Sequence, residues 1–106
     1  MNEQVKSALL SCTQNVFLYT ATGNKKIPYV IYGNNGESAF HAGGKQVERA
    51  DQGTIDLYTK KANDELVRKI PAALNAVGIA FYLNSIQYEE ETDGGLLHYE
   101  WVYEAV

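Results

Sequence analysis

Two strand-like segments rich in apolar and aromatic residues around a tight turn are the feature that most limits how this chain can fold. Residues 79–91 and 96–104 flank Thr92-Asp93-Gly94-Gly95, and Asp-Gly is a favoured two-residue hairpin turn because its central positions tolerate positive φ. The spacing predicts a C-terminal β-hairpin. A turn centred on Asp93-Gly94 sets Tyr88 opposite Tyr99 and Ile86 opposite Trp101, whereas a turn at Gly94-Gly95 sets Tyr88 opposite Trp101. Side chains on a strand alternate with a period of two, so both registers sort the residues identically. Ile86, Tyr88, Leu97, Tyr99, Trp101 and Tyr103 share one face, the expected core face, and Glu89, Glu91, His98 and Glu100 share the other.

Helical spacing marks the start of the chain. Val5, Ala8, Leu9, Cys12 and Val16 form an apolar stripe, with Asn2 placed to cap it and Glu3 in the first turn. Cys12 lies on that stripe and reads as a small buried hydrophobe rather than a reactive thiol. From residue 17 the period changes. Runs at 17–20 and 29–32 are β-branched and aromatic, Thr22-Gly23-Asn24-Lys25-Lys26 between them is turn chemistry, and Pro28 belongs at a strand opening or edge.

Residues 33–53 hold five of the nine glycines. A structureless loop of that length is uncommon in so small a domain. A hairpin is expected, with arms at 37–42 and 46–51 turning at Gly43-Gly44, weakly apolar and free to order against a partner. Residues 54–59 alternate again, with Ile55 and Leu57 on one face. Asn63 is the expected cap of a second helix, with Asp64 and Glu65 in its first turn. Its apolar face is Leu66, Ile70, Ala73, Leu74 and Val77, and Gly78 is its stop. Pro71 falls inside that helix and is expected to kink it. The sum is an α+β domain over residues 1–106: a mainly antiparallel sheet of four to six strands, two helices packed on one face, and a C-terminal β-hairpin.

Composition excludes several classes. With 106 residues and 45% hydrophobic content, the chain suits one globular domain. No apolar run approaches the ~20 residues that span a bilayer, and Ala8-Leu9-Leu10 is too short for a signal-peptide core. A single cysteine forms no intramolecular disulfide and no multi-cysteine metal site. The net charge of -4 is unevenly spread. Residues 1–69 carry nine basic and seven acidic residues, a net +2, while residues 70–106 carry six acidic residues and no Lys or Arg, a net -6. No basic cluster exceeds a pair, which argues against sequence-specific nucleic-acid binding. Oppositely charged ends suit contact between copies, with Lys45, Arg49, Lys60 and Lys61 on one side and Glu89, Glu90, Glu91 and Asp93 on the other. The alternative is a solvated acidic hairpin. Eight of the twelve aromatics are tyrosines, a residue that suits a thin sheet core and protein interfaces alike.

Catalytic motifs are not found. Gly43-Gly44-Lys45 suggests a phosphate loop, but Ala39 stands where the first glycine belongs and Gln46 where a Mg²⁺-binding hydroxyl belongs. His98 shares a face with Glu89 and Glu91, an arrangement read as a cross-strand electrostatic pair in preference to a metal site. His41 has no orienting carboxylate nearby in sequence, and no nucleophile elbow is present. Glu89-Glu90-Glu91 point to alternating faces and make no carboxylate pair by adjacency. No catalytic, cofactor-binding or metal-binding residue is therefore expected.

Three stretches together resemble a known family: Ile27-Pro28-Tyr29-Val30-Ile31-Tyr32-Gly33, Gln52-Gly53-Thr54-Ile55-Asp56-Leu57-Tyr58-Thr59, and Tyr88-Glu89-Glu90-Glu91-Thr92 followed by Leu97-His98-Tyr99-Glu100-Trp101. In this order they are similar to the small tail-completion, or tail-terminator, proteins of long-tailed bacteriophages and prophages of Gram-positive hosts. The resemblance spans roughly residues 16–104 and rests on structural segments. It implies a small α+β fold and a non-enzymatic minor tail protein without cofactors. Such a protein assembles as a homo-oligomeric ring, commonly a hexamer, that caps the tail tube and meets the head–tail connector, with DNA passing through its channel. It further implies assembly in the bacterial cytoplasm and residence in the virion. The alternatives are a head-completion protein, a monomeric module that binds a peptide by strand addition, or a small enzyme using His41 or His98.

Overall fold

The computed structural model describes residues 2–21, 26–42, 45–89 and 95–105, with the backbone alone for residue 2 and residues 35–51. The order is α1 (Asn2–Leu10), β1 (Val16–Leu18), β2 (Tyr29–Ala42), β3 (Lys45–Thr59), α2 (Leu66–Ala76), β4 (Ala80–Glu89) and β5 (Leu96–Ala105). The fold is α+β, as the periodicities predict. Its five-stranded sheet has the order β1-β2-β3-β5-β4, antiparallel except for the β1–β2 pair.

Both helices cover one face. Val5, Ala8 and Leu9 of α1 and Leu66, Ile70 and Leu74 of α2 pack over Val30, Tyr32, Ile55, Leu57, Tyr99, Trp101 and Tyr103. The register aligns these residues in rows across the strands. Val30, Leu57, Tyr99 and Ile86 form one row, and Tyr32, Ile55, Trp101 and Leu83 form the next.

Several local expectations are corrected. The N-terminal stripe does not stay helical to Val16: α1 ends at Leu10, Asn2 lies inside it, and Val16 opens β1. Tyr19 leaves β1 at a φ of 65°, which ends the strand at Leu18, two residues before the predicted limit of 20. Asn63 does not cap α2. It adopts a φ of 63°, a conformation Asn tolerates, and the capping falls to Asp64, whose Oδ1 accepts the Leu66 amide (2.9 Å). Asp64 Oδ2 also accepts the Thr59 hydroxyl at 2.8 Å, which ties the start of α2 to the end of β3. The helix runs through Pro71 to Ala76. It closes as foreseen at Gly78, where the Ile79 amide reaches Leu74 O and the Gly78 amide reaches Asn75 O. This double bond is the Schellman arrangement, and the φ of 75° at Gly78 is what it requires. Val77, assigned to the apolar face, is exposed.

The strands of the glycine-rich region pair as its hairpin reading predicts, with Ala42 opposite Lys45; the predicted turn at Gly43-Gly44 lies outside the described residues. The difference is continuity: residues 29–42 form one strand and 45–59 another, rather than four short pieces. Pairing with β5 reaches only as far as Asp51, so residues 38–42 and 45–50 extend past the sheet as a two-stranded arm. The molecule is accordingly elongated, 53 × 26 × 25 Å.

The C-terminal hairpin forms in neither predicted register. Tyr88 faces Leu97 and Ile86 faces Tyr99, and a bulge between Leu83 and Ser85 then sets Leu83 opposite Trp101. The connection between Glu89 and Leu96 is longer than a two-residue turn; the predicted turn at Asp93-Gly94 lies outside the described residues. The shift is even, so the faces survive as expected. What does not survive is burial of Ile86 and Tyr88: β4 is an edge strand whose start packs against the core through Phe81, while Ile86 and Tyr88 further along it are exposed.

Candidate functional site

Two surfaces follow from this architecture. The first is the apolar sheet face where it outruns its helices. Toward β4, Trp101 and Tyr99 are buried, but their row partners Leu83 and Ile86 are 46% and 55% exposed. Toward β1, Leu18, in the same row as Tyr32, is 47% exposed, and Tyr19 and Ile27 nearby are also exposed. Strands β1 and β4 are the two edges of the sheet. A ten-residue edge bearing apolar side chains is the kind of surface that proteins ordinarily protect or pair.

The second surface is the face without helices. Here a ladder of rings crosses the sheet. Phe17 meets Tyr29 edge-on (6.3 Å), Tyr29 stacks on Tyr58 (4.9 Å), and Tyr58 stacks on His98 (4.3 Å). His98 Nε2 lies 2.7 Å from Asp56 Oδ1, and its Nδ1 lies 3.8 Å from Glu89 Oε2. Glu100 joins from β5, its Oε1 accepting from Asn84 Nδ2 at 2.8 Å. Burial pushes the Asp56 carboxyl above its ordinary value, the His98 ring pulls it down, and Glu100 adds to the rise. Burial and the surrounding carboxylates push the Tyr58 phenol up to about 12.

The predicted contact residues do not form one cluster. Lys45 and Arg49 lie on the arm, and Lys60 and Lys61 follow β3 at its opposite end. Lys60 and Lys61 line an open cleft of about 470 Å³ with Ile27, Pro28, Thr59 and Asp64. Glu89 ends β4 near that same end of the sheet, on the face of His98 as expected. Glu90, Glu91 and Asp93 lie outside the described residues. The alternation places His98 with Glu89 and Glu91, whereas Asp56 and Tyr58 join it only in the folded sheet. Their polar positions in 54–59 already placed them opposite Ile55 and Leu57; the unseen element was the β3–β5 pairing across 42 residues.

Cys12 is half-buried, with its Sγ 3.4 Å from Lys69 O, and burial raises its thiol pKa. This agrees with the unreactive reading. His41 carries no described side chain. Comparison with known protein families and with curated proteins gives no match.

Proposed function

We propose that the chain is a structural, non-enzymatic subunit whose copies join edge to edge in a ring, acting as the tail-completion proteins it resembles do. In that role the ring sits at the head-proximal end of a phage tail tube, stops tube polymerisation and offers a surface to the head–tail connector. Its partners are further copies of itself, the tail-tube protein and the connector protein. The observation that supports this reading is the apolar face extending past its helices at both sheet edges, with Leu18 on one side and Leu83 and Ile86 on the other.

Two different edges, each apolar, suit a heterologous contact in which β4 of one copy meets β1 of the next. Contacts of that type close into a ring when the rotation is right. A two-fold contact would use one edge twice and leave the other bare. The arm adds reach: it carries Lys45 and Arg49 away from the body, toward the acidic hairpin of a neighbour.

Sedimentation velocity and electron microscopy of the purified chain test this directly. Rings of one fixed copy number are expected, six by the resemblance. A monomer at every concentration, with or without tail-tube subunits, overturns it. Reversal of Glu89, Glu90 and Glu91 to Lys then locates the acidic hairpin. Lost rings place it at the subunit contact, and intact rings that gain DNA affinity place it on the channel wall, where like charge repels DNA.

The β4 edge also favours a second reading, a monomeric module that captures a peptide by strand addition. It predicts a monomer that binds an extended peptide and loses that binding when Ile86 becomes Lys.

A further inference from the structure

We propose that Asp56, His98 and Glu100 form a site for a divalent first-row transition ion, with Zn²⁺ as the representative. Ligand atoms from the three side chains all lie within 4.8 Å of one another. Two carboxylates and one imidazole form a donor set that suits Zn²⁺ or Mn²⁺, and the imidazole disfavours Ca²⁺ and Mg²⁺.

The surroundings are organised as a ligating histidine requires. His98 presents Nε2 to Asp56 and turns Nδ1 toward Glu89. A metal-bound histidine commonly gives its other ring nitrogen to a carboxylate, which fixes both tautomer and ring orientation. Stacking on Tyr58 at 4.3 Å restrains the same ring from its face, and Asn84 orients the Glu100 carboxylate. Asp56 and His98 are only 15% and 13% exposed, so water screens an ion there weakly. An ion with bonds of about 2.0–2.2 Å sets tetrahedral ligand atoms about 3.4 Å apart. The 2.7 Å Nε2–Oδ1 contact therefore opens by less than about 1 Å to admit it. The ion takes the place of the proton shared between Nε2 and Oδ1, and that proton leaves to solvent. Three protein ligands leave at least one position for water.

This proposal does not require ring formation, because Asp56, His98 and Glu100 all come from β3 and β5 of one chain and lie on the face opposite the apolar contact. Its test is calorimetric titration of ZnCl₂ into the chelator-treated full chain near pH 7, paired with thermal denaturation. One ion per chain and a raised Tm are expected, with neither effect from Ca²⁺ or Mg²⁺. His98→Gln and Asp56→Asn should each abolish the Tm rise. Glu89→Gln, at a half-exposed position that leaves the fold intact, should weaken binding about 10–100-fold. Absence of Zn²⁺ binding overturns the proposal. So does binding that survives His98→Gln but disappears in a Cys12→Ser, His41→Gln double variant, or a Glu89→Gln variant that binds as tightly as the parent.

Discussion

Where β2, β3 and β5 run side by side, Gly53 sits opposite Asn34 on one flank and Tyr103 on the other. A Cβ at this position would overlap the Gly33 carbonyl and the Tyr103 hydroxyl, so the missing side chain is what lets that hydroxyl donate to Gly33 O at 3.2 Å. Gly53→Ala should therefore destabilise the fold by about 1–3 kcal/mol, the usual cost of overpacking, read as a lower urea midpoint. On the opposite face, Tyr58 gives a pH signature. Around its phenol stand Tyr29 from β2, Asp56 from its own strand, His98 and Glu100 from β5, and Glu89 from β4. In the unfolded chain a tyrosine releases its proton near pH 10, whereas Tyr58 holds it to about 12. Between those values the folded state binds the extra proton, so this contribution is complete below pH 10 and is lost as pH rises toward 12. Tyr58→Phe should lack that loss: the stability gap between parent and variant, measured by denaturant titration, narrows as pH rises through the window.

At the scale of the element, the start of α2 depends on one carboxylate. Asp64 is buried, caps Leu66 through Oδ1 and holds the Thr59 hydroxyl through Oδ2. Asp64→Ala removes both contacts and should cost about 1–2 kcal/mol in chemical denaturation, while Asp64→Asn, which keeps an acceptor for the Leu66 amide, should retain most of the stability. The choice between Asn63 and Asp64 also shows what a linear reading misses. Either residue can cap by chemistry, and the decision came from the positive φ of Asn63 and from Thr59, a contact across the end of β3. Local periodicity marks the strand segments, both helices, the Gly78 stop and the pairing of residues 37–42 with 46–51. The limits of α1 and β1, and the joining of short segments into two long strands, depend instead on tertiary pairing. The bulge between Leu83 and Ser85 was not legible, since it depends on how β4 fits β5 rather than on either strand alone. For the same reason Asp56 was not seen beside His98. Their meeting depends on β3–β5 register, which tertiary packing sets.

For the whole molecule, the decisive asymmetry is that two helices are too narrow a cover for five strands. Burial falls along each row from the centre outward: Tyr99 is buried and Ile86 is not, and Trp101 is buried and Leu83 is not. An edge left in that state is open to pairing with its own kind unless a defined neighbour satisfies it or it stays solvated. Ring closure, as proposed, would satisfy every copy equally, because each β4 edge would meet a β1 edge and no edge would be left over. Ile86→Lys separates this arrangement from one in which the edge is merely solvated. Ile86 is exposed in the single chain, so a lysine there should change monomer stability by no more than about 0.5 kcal/mol. In a ring the same lysine would be carried into an apolar contact without a partner, a burial that costs several kcal/mol at each repeated interface. The expected outcome is a folded monomer with the parent's urea midpoint and no rings by sedimentation velocity. Rings that persist unchanged would remove β4 from the interface and leave the arm, with Lys45 and Arg49, as the element that joins the copies.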